Sequence, residues 1–162
     1  MWTHELVQDT EVAPAAIWAV LADIDHWVDW DTSMDATSLL GPFEVGTQIS
    51  MTPTGQDPIV STIVEIVPNE RYGDRTDFGG VTLDFIHVLA LRDEGGTRVS
   101  HRLTISGPAV DDVAPDLGPM ITSDFPEAMD GLIAAARVRS ADPAVTPAGA
   151  VTSGSATSAA GG

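Results

Sequence analysis

The stretch Val81-Thr82-Leu83-Asp84-Phe85-Ile86-His87-Val88-Leu89-Ala90-Leu91-Arg92-Asp93-Glu94-Gly95-Gly96-Thr97-Arg98-Val99-Ser100-His101-Arg102-Leu103-Thr104-Ile105 decides the fold. Val81, Leu83, Phe85, His87, Leu89 and Leu91 recur at every second position, which puts them on one face of a long strand. Asp93-Glu94-Gly95-Gly96 supplies a turn, and Val99, His101, Leu103 and Ile105 alternate on the returning strand. With Leu91 facing Thr97 across a five-residue turn, His87 stands directly opposite His101, about 4.5–5.5 Å away at Cβ. A register two residues different leaves the two histidines as diagonal neighbours on the same face.

Upstream, Glu5 to Val12 reads as a first strand, and Pro14 suits the first turn of a helix, where its missing amide proton is not needed. Ile17, Trp18, Val20 and Leu21 give that helix an apolar face, and Asp23 to Asp31 reads as a second short helix. Met34–Leu40, Thr47–Thr52, Ile59–Val67 and Arg71–Asp77 follow as strands, separated by Gly41-Pro42, Gly55 and Pro68-Asn69. Downstream, Gly107-Pro108 ends the long hairpin. A last helix is predicted from about Val113 to Arg139, with Leu117, Ile121, Phe125, Met129, Leu132 and Ala136 as its apolar stripe. Pro126 should kink it, and Gly118-Pro119 is a second point of interruption. From about Ser140 the chain is rich in Ala, Gly, Ser, Thr and Pro, with Val145 and Val151 its only large apolar residues. That composition predicts a folded domain over residues 1–139 and a disordered tail over 140–162.

These elements specify an α+β fold: a curved six- to seven-stranded antiparallel sheet wrapped around one long C-terminal helix. Two short helices follow the first strand. The last helix is the one element long enough to cover the apolar face of the sheet. A curved sheet meeting a helix leaves space between them, a common place for a ligand.

Composition narrows the function. At 162 residues the chain suits one domain. It contains no cysteine, so disulfides, thiolate nucleophiles and cysteine metal sites are excluded. All seven basic residues are arginines, and without lysine no side-chain Schiff base can form. A formal net charge of -17 repels nucleic acid and anionic membrane surfaces alike. Neither a signal-peptide pattern nor an apolar run long enough to span a bilayer is visible, so a cytoplasmic protein, monomer or homodimer, is expected.

Three runs resemble the START-like (SRPBCC) superfamily, in its polyketide cyclase/dehydrase and lipid-transport branch. They are Ala13-Pro14-Ala15-Ala16-Ile17-Trp18-Ala19-Val20-Leu21-Ala22-Asp23-Ile24-Asp25-His26-Trp27 with Trp30 after it, Gly96-Thr97-Arg98-Val99-Ser100-His101 leading to Ile105-Ser106-Gly107-Pro108, and Asp124-Phe125-Pro126-Glu127-Ala128-Met129 with Leu132. The resemblance covers about residues 3 to 137 and implies the helix-grip fold. It also implies a protein that holds an apolar, carbonyl-rich small molecule and promotes its cyclisation and dehydration. A non-catalytic carrier of a lipid, quinone or isoprenoid, and a protein-interaction module, are the other roles this fold hosts.

His87, His101 and Tyr72 are the candidate catalytic residues. Paired imidazoles can move protons near neutral pH, as enolisation, aldol closure and dehydration require, and a phenol can polarise a ketone. The structural alternative is that each is a buried polar side chain satisfied by a neighbour. Trp27, Trp30, Phe85, Leu103, Phe125 and Met129 are the candidate ligand-binding residues; Trp18 is assigned to the core. Two histidines fall short of the three or four ligands zinc needs, and His4 and His26 sit on other elements, so no metal and no cofactor are expected.

Overall fold

The computed structural model describes residues 1–141. Seven antiparallel strands form one sheet: β1 (Trp2–Thr10), β2 (Met34–Leu39), β3 (Gln48–Pro53), β4 (Ile59–Val67), β5 (Arg71–Phe78), β6 (Val81–Leu91) and β7 (Thr97–Ser106), in the spatial order β1-β7-β6-β5-β4-β3-β2. Between β1 and β2 lie helix α1 (Pro14–Leu21) and a 3-10 turn (Ile24–Asp29), and after β7 come helices α2 (Val110–Thr122) and α3 (Phe125–Ala141). This is the helix-grip arrangement.

The β6–β7 hairpin has the register in which Leu91 faces Thr97 and His87 faces His101. Phe78 and Val81 pair across the β5–β6 turn, leaving Gly79 and Gly80 as a two-residue loop with φ of 57° and 85°. That left-handed backbone is what glycine permits without strain and what matches the twist of a tight hairpin. The first strand starts at Trp2, earlier than the sequence pattern implies, because β7 offers ladder partners down to Ile105, opposite Trp2. Leu91, expected on the inner face, is 75% exposed at the end of β6.

The C-terminal helix is bent rather than continuous, with its break just ahead of Pro126, where a kink was expected, and not at Gly118-Pro119. Gly118-Pro119 stays inside α2, and the chain breaks at Ser123–Asp124 instead. Pro115 and Pro119 already sit inside α2, each without the amide proton owed to the carbonyl four residues earlier, and an interior Pro126 would add a third such loss and ring clash. Restarting the helix at Phe125 places Pro126 in a first turn, where neither problem arises, and Ala128 N bonds Asp124 O at 3.0 Å as the new helix begins. α3 continues to Ala141, past the expected domain boundary at residue 139. The tail expectation otherwise concerns residues outside those described.

Two buried clusters fill the space between sheet and helices. One gathers Ile17, Leu21 and Ile24 with Ile49, Ile63 and Tyr72 of the sheet and Leu132 of α3. The other joins Val81, Leu83, Leu103 and Ile105 to Ala114 of α2 and Phe125. Trp18, expected in the core, is only partly buried and packs against its edge. Two glycines set the helix positions. A Cβ on Gly118 would meet the Trp2 ring at 2.5 Å, and one on Gly131 would collide with the Trp30 carbonyl oxygen.

Candidate functional site

Between the sheet and the bent helix lies a cavity of about 450 Å³, within the size range of small-molecule sites. Its wall is mainly apolar and includes Met34, Met51, Phe85, Phe125, Met129 and Leu132. Trp27 and Trp30 line it from the 3-10 turn and the residue after it. The break between α2 and α3 presents Ile121, Asp124 and Phe125 to the same space.

The register fixes the polar groups. Tyr72, His87, His101 and Leu6 form one row across β5, β6, β7 and β1, and Asp74, Phe85, Leu103 and His4 form the next. The imidazoles of His87 and His101 stack with centroids 3.9 Å apart and planes 17° from parallel. Phe125 continues the stack on His101, again at 3.9 Å and at 15°. His4, which the sequence left on a separate element, approaches the Phe125 ring at 5.8 Å, tilted by 60°. Burial holds the His87 pKa down to about 4. His101 is held well below its usual value by burial first, then by the neighbouring His87 and His4. Both imidazoles are therefore neutral at pH 7.

Of the nine residues singled out in the sequence, His87, His101, Trp27, Trp30, Phe85, Phe125 and Met129 line the cavity. Leu103 does not: it is fully buried in the core cluster under α2. Tyr72 is fully buried as well, against Trp27 at 5.6 Å and stacked on Phe43 at 6.2 Å, and it is not on the cavity wall. Its hydroxyl donates to Asp74 Oδ2 at 3.0 Å, while Ser61 Oγ donates to Asp74 Oδ1 at 2.8 Å. Desolvation together with the nearby carboxylate pushes the Tyr72 phenol far above its usual range.

Asp74 is the residue that sequence reasoning missed. It lines the cavity, is 4% exposed, and its carboxyl is pushed up to about 6 by burial, against the lowering effect of the Ser61 and Tyr72 hydrogen bonds. The signal was present. On an alternating strand Tyr72, Asp74 and Thr76 share a face, so an inward Tyr72 brings Asp74 and Thr76 with it. All three are buried, while Arg75 between them is exposed. Three buried polar atoms on cavity-lining residues have no hydrogen-bond partner: Trp30 Nε1, Thr76 Oγ1 and His87 Nδ1. Each is covered by its neighbours rather than open to the cavity, and a polar atom left in this state forfeits about 1–3 kcal/mol. Among the described residues no cluster of three or more His, Asp or Glu side chains is arranged to hold a metal, and no helix is long and apolar enough to cross a membrane.

Comparison with known proteins places this architecture. The Zhui aromatase/cyclase of a Streptomyces species matches at TM-score 0.69 and 13% identity, over 86% of this chain and 95% of that one. The di-domain ARO/CYC StfQ of the steffimycin biosynthetic pathway matches at TM-score 0.70 and 14% identity, over 85% of this chain and 52% of that one. A START superfamily protein from Mycobacterium smegmatis gives 0.61 and 12%, over 85% and 95%. At such identities the likeness is one of fold. A search of curated proteins finds no significant match. The family model described as polyketide cyclase/dehydrase and lipid transport matches residues 1–137, nearly the whole described chain, and the protein belongs to that family.

Proposed function

We propose that this protein binds an apolar, carbonyl-rich small molecule in the cavity and promotes its cyclisation and dehydration. The observation that carries the reading is Asp74, a buried carboxyl on the wall of an apolar cavity with a pKa of about 6. A group that titrates near working pH is effective both at taking and at returning a proton. The Asp74 carboxylate removes a proton from a methylene flanked by two carbonyls. The enolate carbon then bonds to a second carbonyl carbon of the same chain, and that oxygen takes the proton back from Asp74. Loss of the resulting hydroxyl with an adjacent proton releases water and leaves the ring unsaturated. Tyr72 and Ser61 are positioning residues for the carboxylate. The neutral imidazoles of His87 and His101 and the indole of Trp30 contact the substrate, and holding its flexible chain in a reactive fold supplies much of the rate.

A carrier role is the second reading, favoured by one observation: an imidazole held near 4, as His87 is, is a weak base and suits orienting a ligand better than deprotonating it. Turnover separates the two. With a synthetic poly-β-diketone and product formation followed by absorbance, the parent should accelerate ring closure over buffer. Asp74→Asn should reduce that acceleration about 10²-fold while retaining binding. Tight binding with no acceleration by the parent would leave the carrier reading and remove the enzymatic one.

A further inference from the structure

The apolar side chains on the cavity wall are not a sample of those in the chain. Of the five methionines, every one but Met1 lines the cavity: Met34, Met51, Met120 and Met129. Among the described residues no valine does, although β1, β4, β6 and β7 all carry it, and of the isoleucines only Ile59 and Ile121 do. The difference is mechanical. Branching at Cβ leaves valine and isoleucine few choices of χ1. Methionine is unbranched, turns about several bonds and carries a polarisable sulfur, so it fits itself to irregular shapes and to aromatic rings. The four run from mouth to floor: Met120 is 59% exposed, Met34 is half-buried, and Met51 and Met129 are 5% and 2% exposed.

The yielding and the fixed parts of the wall stand on different strands. Asp74 on β5 is held through both oxygens by Tyr72 and Ser61. His87 on β6, His101 on β7 and Phe125 form a stack with successive centroids 3.9 Å apart. Met34 and Met51 stand on β2 and β3, toward the other edge of the sheet. There β2 is paired on one side only, and its ladder with β3 shifts register between Met34 and Ala36. Met120 and Met129 come from α2 and α3, the two helices on either side of the bend.

Resting on the ligand-binding reading above, we infer that Met34, Met51, Met120 and Met129 are the specificity-determining residues of the cavity, and that they make it tolerant of shape. Ligands are held alike beside Asp74 and the imidazole stack and are free to differ elsewhere, where the methionine side chains turn to receive them. A flexible chain and the flat ring it closes to are two such shapes, so one wall accommodates both substrate and product.

Three neutral fluorophores of unlike shape test this on the intact protein: N-phenylnaphthylamine, with two twisted ring systems, Nile red, a flat fused plate, and diphenylhexatriene, a rod. The parent should bind all three with affinities within about 10-fold of one another. The variant Met34→Leu/Met51→Leu/Met129→Leu keeps side-chain volume and removes much of the freedom, a swap that cores tolerate. Its three affinities should spread to about 30-fold or more, because a stiffer wall is overpacked by the shapes it does not match. Should the triple variant melt well below the parent, each single leucine variant carries the same test with a smaller widening. In the parent, NMR of isotope-labelled methionine methyl groups should show the four wall signals moving to different positions with each probe while Met1 stays in place. Affinities that already differ by about 100-fold in the parent, or that stay as close together in the leucine variants, would overturn this inference and leave the cavity as a ligand site. Absence of binding by all three probes, or binding that moves none of the four signals, would overturn the ligand-binding reading with it.

Discussion

At the residue scale the chemistry rests on two kinds of buried group whose titrations run in opposite directions. His87 has a folded-state pKa of about 4, below the 6.5 of a free imidazole. Between those values the unfolded chain binds the proton more tightly, so the stability owed to the neutral ring is full above about 6.5 and lost as pH falls through 4. Asp74 is raised from 3.8 to about 6, so its contribution is full below 3.8 and lost as pH rises through 6. A shift of about two units corresponds to about 3 kcal/mol at most. His87→Phe should therefore fold, keep the aromatic stack, and lose part of the parent's acid sensitivity in urea melts between about pH 6 and 4. Asp74→Asn should gain stability over the parent progressively as pH rises through the same range. If the two variants tracked the parent at every pH, neither group would be buried as described. The pairing of His87 with His101 was legible from period-two alternation and turn length alone. The expectation that these imidazoles would titrate between about pH 5 and 8 gives way to Asp74 as the group that titrates there, because burial, which no local pattern reports, sets both pKa values.

At the element scale the last helix shows how a local rule and a tertiary contact divide the work. Its apolar stripe of Leu117, Ile121, Phe125, Met129, Leu132 and Ala136 was readable, and Pro126 correctly marked trouble for a continuous helix. The place of the break was not readable, because the chain had several prolines and glycines to choose from. Packing settled it: the bend at Ser123–Asp124 lets α2 lie against β1 through Gly118 while α3 lies against the Trp30 backbone through Gly131. Gly131 is the tighter point, since the obstructing atom is backbone and cannot rotate aside. Gly131→Ala should lower stability by about 1–3 kcal/mol despite alanine's better helix propensity. Chemical denaturation of that variant is the measurement. A gain in stability would show that α3 shifts freely against the 3-10 turn.

On the scale of the whole molecule, the composition beyond Ala141 lacks the apolar residues needed to join a core. A chain ending there should keep its melting temperature and its ligand affinity. A fall of more than a few degrees would show that the distal segment packs on the domain. The same scale separates what the sequence decided from what only the fold decided. Alternation, turn residues and the helical stripe determined the antiparallel sheet, the facing histidines and the helix across them, because these depend on spacings of two to five residues along the chain. The family followed from short runs of the same kind. Leu103 and Tyr72, by contrast, lie on inward rows yet fall behind the cavity wall, while Asp74 and Thr76 fall on it. Which inward side chains meet the cavity and which meet the core depends on where the bent helix touches the sheet, a relation between residues up to about a hundred positions apart. No local spacing encodes that distance, and only the packed chain resolves it.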